Sequence, residues 1–369
     1  MSLPHEQSAF DLDAIRGCFP ALSTGTAFFD GPGGSQTPTA VADAIRNAML
    51  HPLSNRGHNT TAERNAEEIV VECRRALGDL LNADPDEVIF GRSMTALTFE
   101  MSRTLSAQWQ PGDEIVVTRL DHDANVRPWV IAAANAGATI RWVDFDSATS
   151  ELPVQNVEAA LSERTRLVAV TAASNLIGTM PDVRAIAAAT HAAGALLYVD
   201  GVHYTAHGSV DFRDLGADFF ACSPYKFLGP HCGVLVGKSD VLAELRPAKL
   251  LPSTDRVPER FELGTLPYEL MAGTTAAVDF LAGMTNAPGS RRDRLVAAMA
   301  ALEEREDVLR QRIEAGLRGL PGVTIHSRAA RRTPTLLVTV AGRDTAAISA
   351  TLARHDVNAP AGSFYAYEA

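Results

Sequence analysis

Short runs of branched and aromatic apolar residues, each closing on a polar turn, alternate along this chain with longer segments that are apolar on one side only. Compact apolar runs bounded by turns read as buried strands, and the one-sided segments as amphipathic helices. AFFDGPGGSQTPTAVADAIRNAML predicts a short strand, a Gly-rich turn and a helix that Pro38 opens. SNRGHNTT is a polar loop carrying Arg56 and His58, and AERNAEEIVVECRRALGDLL after it is a helix. Val88 to Phe90 reads as a strand, Gly91 to Met94 as a tight turn, and a helix starts at Thr95. DEIVVTRLDHDANVRPWVIAAANAGATIRWVDFD gives strand, helix and strand, the first strand covering Ile115 to Thr118. TRLVAVTAASNLIGTMPDVRAIAAATHAAGALLYVD repeats the pattern and ends on the run Leu196 to Val199. ADFFAC and GVLVG are strands on either side of the loop SPYKFLGPHCG.

This rhythm from Asp86 to Gly237 predicts an α/β fold with a mostly parallel sheet covered by helices on both faces. A long helix from about Arg292 to Leu317 then leads into a smaller α+β unit, where PGVTIHS and TPTLLVTV are strands and DTAAISATLARH a helix. The expected organisation is a segment 1–27 packing with the small domain, a large domain 28–286, and a small C-terminal domain 287–369 that looks incomplete at its end.

With 369 residues the chain is long enough for two such domains. A net charge of −11 argues against a sequence-independent nucleic-acid partner and against adsorption to an anionic membrane. MSLPHEQSAFDLD lacks the basic and apolar regions of a secretory signal, and no uncharged apolar run is long enough to span a bilayer. Cys18, Cys73, Cys222 and Cys232 have no metal-like spacing and suggest reduced thiols in a cytoplasmic protein. GPGGS lacks the G-x-G-x-x-G spacing of a dinucleotide loop and is expected to line a cleft.

The candidate chemistry centres on Lys226. A lysine held beside buried apolar strands is costly, and desolvation favours its neutral, nucleophilic form, which forms a Schiff base with an aldehyde. Asp200 ends the strand that precedes Lys226 by 26 residues, at the edge where open α/β sheets place ligand-binding groups. An amine for an aldehyde and a carboxylate for a pyridinium nitrogen are what pyridoxal 5'-phosphate (PLP) most needs from a protein. The turn at Ser93 and Met94 aims free N–H groups at an anion such as a phosphate. His122 and Asn175 fall in loops after strands of the same sheet, so one crevice can gather all five features.

With those residues on the page, the chain resembles the class V aminotransferases, in the branch of the cysteine desulfurases and selenocysteine lyases, from about Phe28 onwards. VDGVHYTAHGSVDFRDLGADFFACSPYKFLGP and LDHDANVRPW carry the likeness, supported by TAASNLIGTM, the SNRGH loop and FELGTLPYE. The resemblance implies fold type I of the PLP-dependent transferases, with PLP as cofactor and a homodimer as the working form. It implies Lys226 as the Schiff-base lysine, Asp200 as the partner of the ring nitrogen, and His122 as the residue stacked on the ring. Asn175 and His203 match positions near the ring hydroxyl, His203 standing where desulfurases usually have Gln. Ser93, Met94 and Ser223 match phosphate-binding positions, and Tyr225 replaces a His that commonly precedes the lysine. Gly264 and Thr265 resemble the pair reaching the phosphate from the other subunit, and Arg56 a cleft arginine that binds substrate.

The chain departs from that pattern twice. Tyr365, in APAGSFYAYEA, stands where desulfurases carry the cysteine that holds the persulfide. Relatives also continue into a segment with a carboxylate-binding arginine, leaving Arg56 as the candidate here. Cys222 reads as a buried, inert thiol and Cys232 as the spare one. The expected function is therefore a PLP-dependent transaminase or lyase acting on a small amino acid. The alternatives are cysteine desulfurase or selenocysteine lyase activity, and a PLP-binding scaffold without turnover.

Overall fold

A computed structural model describes residues 10–369. Its centre is a seven-stranded sheet of β2 (Val88–Gly91), β3 (Glu114–Thr118), β4 (Thr139–Val143), β5 (Thr165–Thr171), β6 (Leu196–Asp200), β7 (Phe219–Cys222) and β8 (Gly233–Gly237). They lie in the order β2-β8-β7-β6-β5-β3-β4. β8 pairs antiparallel with both β7 and β2, while the other pairings are parallel. Only β8 therefore runs against the rest, and the carboxyl ends of the other six strands share one edge.

Alternation along β5 shows why the sheet is covered twice. Leu167 and Ala169 pack with Leu97, Met101 and Trp129 of the helices Met94–Ser106 and Arg127–Ala136. Val168 and Val170 face the opposite layer, with Val70, Leu77, Ile186 and Met271. Those residues belong to the helices Thr61–Leu81, Val183–Ala192 and Tyr268–Ala282. Strands buried on both faces need continuous apolar sequence, which is the signal that identified them. The expected fold type I, with a mostly parallel sheet between helices, is met here.

The helix Arg291–Arg318, closed at its start by reciprocal bonds between Ser290 and Asp293, leads to the smaller unit. There β9 (Val323–Ile325) pairs antiparallel with β10 (Val338–Val340), followed by the helix Thr345–Ala353. TPTLLVTV is a strand only at its end, because the hydroxyls of Thr333 and Thr335 turn towards His203 in the large domain. β1 (Ala27–Phe28) pairs parallel with β11 (Val357–Asn358), so the N-terminal segment does join the C-terminal unit. It also touches the large domain, where the rings of Phe19 and Phe280 meet edge-on at 5.4 Å. Residues 1–9 of that expected segment, and with them most of the stretch read for a secretory signal, lie outside the described residues. Among the described residues no helix is long and apolar enough to cross a membrane.

Candidate active site

Loops after β2, β3, β5, β6 and β7 line a cavity with about 450 Å³ of empty space, part of it open to solvent. Of the residues expected from sequence, Met94, His122, Asn175 and Asp200 line it, as do His203, Ser223, Tyr225 and Lys226. The sheet brings them together because each follows or ends a strand at the common edge.

Lys226 closes the short turn Pro224–Lys226, whose N–H bonds back to the carbonyl of Ser223 at 3.0 Å. Its Nζ donates to the carbonyl of Pro32 and sits 4.8 Å from the centre of the Tyr225 ring. The Gly-rich turn near the N-terminus thus does line the cleft: Ser35 grips the Tyr225 carbonyl through its N–H at 2.9 Å and its hydroxyl at 3.0 Å. Burial pulls the lysine down to about 8, with the Asp200 charge opposing it. Asp200 is pushed up to about 6 by burial, against the pull of the Val202 N–H at 2.9 Å and of Lys226. At neutral pH the pair therefore offers a carboxylate and an amine with an accessible neutral form.

His122 is lowered to about 4 by burial and by the charge of Lys226, with Asp123 opposing. It is neutral at physiological pH, and Nδ1 accepts the Ala124 N–H at 3.0 Å, which leaves the proton on Nε2. His203 is likewise kept neutral by burial, and its Nε2 meets Thr335 Oγ1 at 2.7 Å and Thr333 Oγ1 at 3.2 Å. Asn175 donates to the carbonyl of Phe364 at 2.8 Å, while its buried Oδ1 has no hydrogen-bond partner among the described residues. An orphan acceptor on a cavity wall is a place for a ligand hydroxyl.

The anion end of the cavity is built by backbone. Ser93 caps the helix Met94–Ser106 by accepting the Ala96 N–H at 3.1 Å, so its hydroxyl shapes the turn. The unpaired N–H groups and positive pole of the helix suit a phosphate. Gly233 of β8 fits against this turn only because it lacks a side chain: a Cβ there would lie 2.2 Å from the Ser93 carbonyl carbon. An amine, a buried carboxylate, an orphan acceptor and a helix-end cradle together fit PLP, and the residues present could hold it.

Sequence reasoning missed Asp121. It is fully buried, accepts from Asn125 Nδ2 at 2.7 Å and from the Thr118 hydroxyl, and is pushed up to about 8 by burial, with Asp200 adding to the shift. It is a neutral acid one residue before His122, and an acidic loop position carries no signal of such burial. Thr95, Thr171 and Ala173 also line the cavity unforeseen.

An outer vestibule of about 960 Å³ shares His122, Tyr225 and Lys226 with the inner cavity and adds Pro32, Phe99, Arg127, Phe364 and Tyr365. The C-terminal segment is tied in place there: Tyr365 accepts the Asp123 N–H at 2.8 Å, and its ring lies 5.7 Å from that of His122.

The structure does not bring Arg56 to the cavity. Its guanidinium is clamped by Glu67 at 2.8 and 3.0 Å and by Glu259 at 3.2 Å, in a network that continues through Arg74 to Glu262. Gly264 and Thr265 are exposed and stand away from this chain's own cavity. Neither thiol candidate lines it. Burial pushes the Cys222 thiol up strongly and the Cys232 thiol to about 12. Cys232 is packed against Thr274, which removes it as a spare thiolate.

Residues 27–367 match the family described as Aminotransferase class-V. The chain is 33% identical over 346 residues to an aminotransferase-like protein of Gibberella zeae, covering 91% of this chain and 83% of the relative. It is 33% identical over 306 residues to a cysteine desulfurase of Dickeya dadantii, covering 77% and 73% of the two. Its fold superposes on the crystal structure of an Escherichia coli cysteine desulfurase with a TM-score of 0.85 at 25% identity, covering 97% of this chain and 90% of the other.

Proposed function

Because the chain belongs to the class-V aminotransferase family and its cofactor is pyridoxal phosphate, we propose that it performs a transamination or a lyase reaction on a small amino acid. The observation that carries this reading is one cavity holding Lys226 and Asp200 together, which opens through Lys226 to a vestibule bearing Tyr365, with no cysteine among the described residues on the walls of either. A phenol cannot carry a persulfide.

When bound, PLP supplies an aldehyde that takes up amino groups and a ring that draws electrons from the substrate α-carbon. Lys226, at about 8, has enough neutral amine near pH 7.5 to act as the nucleophile and then to accept the α-proton at Nζ. Asp200 would serve the ring nitrogen, where its carboxylate would favour positive charge. His122 would lie against the ring as a neutral imidazole, and Asn175 Oδ1 and His203 would serve the ring hydroxyl. Ser223, Tyr225 and the turn at Ser93 and Met94 serve the phosphate. The proposal includes a homodimer, in which Thr265 reaches the partner's phosphate, and a cytoplasmic location. The exposed Gly264–Thr265 loop and the unpaired cysteines support these two readings.

The test is a screen of amino acids against the PLP-loaded protein, following cofactor absorbance and assaying keto acid, alanine and sulfide. The proposal expects a spectral response with keto acid or elimination product, and no alanine formed together with sulfide from cysteine. The names of the desulfurase relatives motivate the competing reading, which stoichiometric alanine and sulfide from cysteine would establish instead. Silence with every amino acid would leave a cofactor-binding scaffold.

A further inference from the structure

One segment of the smaller unit reaches across to His203 on the wall of the Lys226 cavity. Residues 331–335, ahead of β10, are pinned to the large-domain loop that follows β5. The Met180 N–H donates to the Arg331 carbonyl at 3.0 Å, and the Thr333 N–H to the Gly178 carbonyl at 2.9 Å. The approach is close enough to require a glycine. Gly178 has φ +76°, and a Cβ on it would lie 3.0 Å from Thr333 Oγ1 and 3.1 Å from the carbonyl oxygens of Thr333 and Thr335. The same loop carries Asn175, so this segment is seated on the loop that holds the orphan acceptor Oδ1.

A neutral imidazole carries its proton on either nitrogen, and the groups around it decide which. Thr335 Oγ1 lies 2.7 Å from His203 Nε2, and Thr333 Oγ1 lies 3.2 Å from both Nε2 and Thr335 Oγ1. Run in one direction, Thr333 donates to Thr335 and Thr335 donates to Nε2, through contacts of 3.2 and 2.7 Å. Run in the other, Nε2 donates to Thr335, Thr335 to Thr333, and Thr333 has to finish on the Gly178 carbonyl at 3.5 Å. That contact is long for a hydroxyl donor, and the carbonyl already accepts the Thr333 N–H. The first direction is the better satisfied, and it leaves the proton of the neutral ring on Nδ1. Nδ1 has no hydrogen-bond partner among the described residues, and His203 lines the cavity. His207 flanks it, with ring centres 4.7 Å apart, and is itself tied through Nδ1 to Glu306 Oε2 at 2.9 Å.

We propose that Thr335, backed by Thr333, is a positioning residue: its hydroxyl donates to His203 Nε2, keeps the ring proton on Nδ1, and so makes His203 a donor towards the cofactor's ring hydroxyl. The inference rests on the cofactor reading above, in which Asn175 Oδ1 and His203 serve that hydroxyl, and it gives the two complementary parts. Asn175 Nδ2 is committed to the Phe364 carbonyl, so Oδ1 would accept the hydroxyl proton while His203 Nδ1 would donate to the hydroxyl oxygen. A bare Nδ1 would set two acceptors on one proton and leave the oxygen without a donor. Because both threonines belong to the smaller unit, the hydrogen-bond pattern at the cofactor would depend on that unit staying seated against the loop at Gly178.

Full-length protein, isotope-labelled in its histidine ring nitrogens, is measured by NMR with and without PLP, the His203 signals being those lost in His203→Gln. The wild type is expected to carry the proton on Nδ1, and the double variant Thr333→Val, Thr335→Val to place most of it on Nε2. In parallel, PLP and 3-deoxypyridoxal 5'-phosphate, which lacks the ring hydroxyl, are titrated into the cofactor-free protein and followed by absorbance. Thr335→Val is expected to raise the half-saturating concentration of PLP at least fivefold and to leave that of the deoxy compound within twofold. Thr335→Ser, which keeps the hydroxyl, should stay within twofold of wild type with both. A mere packing role would weaken the two compounds equally, and that result overturns the inference, as does an unchanged affinity for PLP. The wild-type spectrum decides the matter if the valine variants fail to fold, since a proton on Nε2 overturns the inference by itself. Failure of the cofactor reading looks different: the wild type then binds PLP no more tightly than the deoxy compound, or not at all, and the inference falls with it.

Discussion

Replacing Lys226 with methionine in the cofactor-free protein should stabilise it, because the fold holds this amine in surroundings that disfavour its charge. The fall of the lysine from 10.5 to about 8 corresponds to at most about 3.5 kcal/mol, taking ~1.4 kcal/mol per tenfold change in proton affinity. Methionine fills similar volume without that cost. The lowered value already includes the attraction of Asp200, and solvent reaching the partly buried amine reduces the net gain to about 1–2 kcal/mol. In a chain of this length such a gain raises Tm by about 2 °C. The sign with pH is fixed. Below pH 8 the lysine is charged in both folded and unfolded chains, so the folded state bears the whole penalty. Between pH 8 and 10.5 the folded amine is neutral while the unfolded one still titrates, and the penalty fades. Thermal melts or urea titrations of wild type and Lys226→Met at steps from pH 6.5 to 10.5 would follow it. The gap should be largest below pH 8 and close by pH 10.5. A variant less stable than wild type at pH 7, or a gap that does not change with pH, would refute the claim that burial depresses this lysine.

Three further outcomes follow from the same geometry. Gly233→Ala drives a Cβ into the backbone of the Ser93 turn, and should weaken PLP binding at least tenfold, measured by cofactor titration, alongside a loss of about 1–3 kcal/mol in stability. Arg74→Met strands the buried carboxylate of Glu262, which it now meets at 2.7 Å, and leaves Glu259 to Arg56 alone, and should cost about 3–5 kcal/mol at pH 7 in urea titrations. That deficit should shrink as acid protonates Glu262, whose carboxyl is already raised by burial. Replacing Cys222 and Cys232 together with serine should leave turnover of the identified amino acid within about threefold, apart from any loss of folded protein; abolished turnover in a folded double variant would restore a thiol to the mechanism.

The sheet was legible because strands buried on both faces must be apolar throughout, and β3, β5, β6 and β8 announce themselves as such runs. Much of the site was legible for a related reason: the carboxyl ends of parallel strands are fixed once the strands are found, and Asp200, Asn175 and His122 follow from them. What escaped depends on contacts between distant parts of the chain. Arg56 reads as a free cleft arginine until the fold brings Glu259, 203 positions away, against it. Asp121 reads as a loop acid until Thr118 and Asn125 enclose it. Thr333 and Thr335 look like strand residues, yet their hydroxyls fix the ring of His203 across 130 and 132 positions.

Only three lysines occur in the chain, Lys226, Lys238 and Lys249, and the last two are paired with Asp218 at 2.8 Å and Asp255 at 3.1 Å. Reduction of the PLP-loaded protein with borohydride, followed by peptide mass spectrometry, therefore reads out directly which amine holds the cofactor. A pyridoxyl group on the peptide carrying Lys226, absent after Lys226→Ala, is the result predicted. The same group on Lys238 or Lys249, or a protein that traps no cofactor at all, would contradict the account.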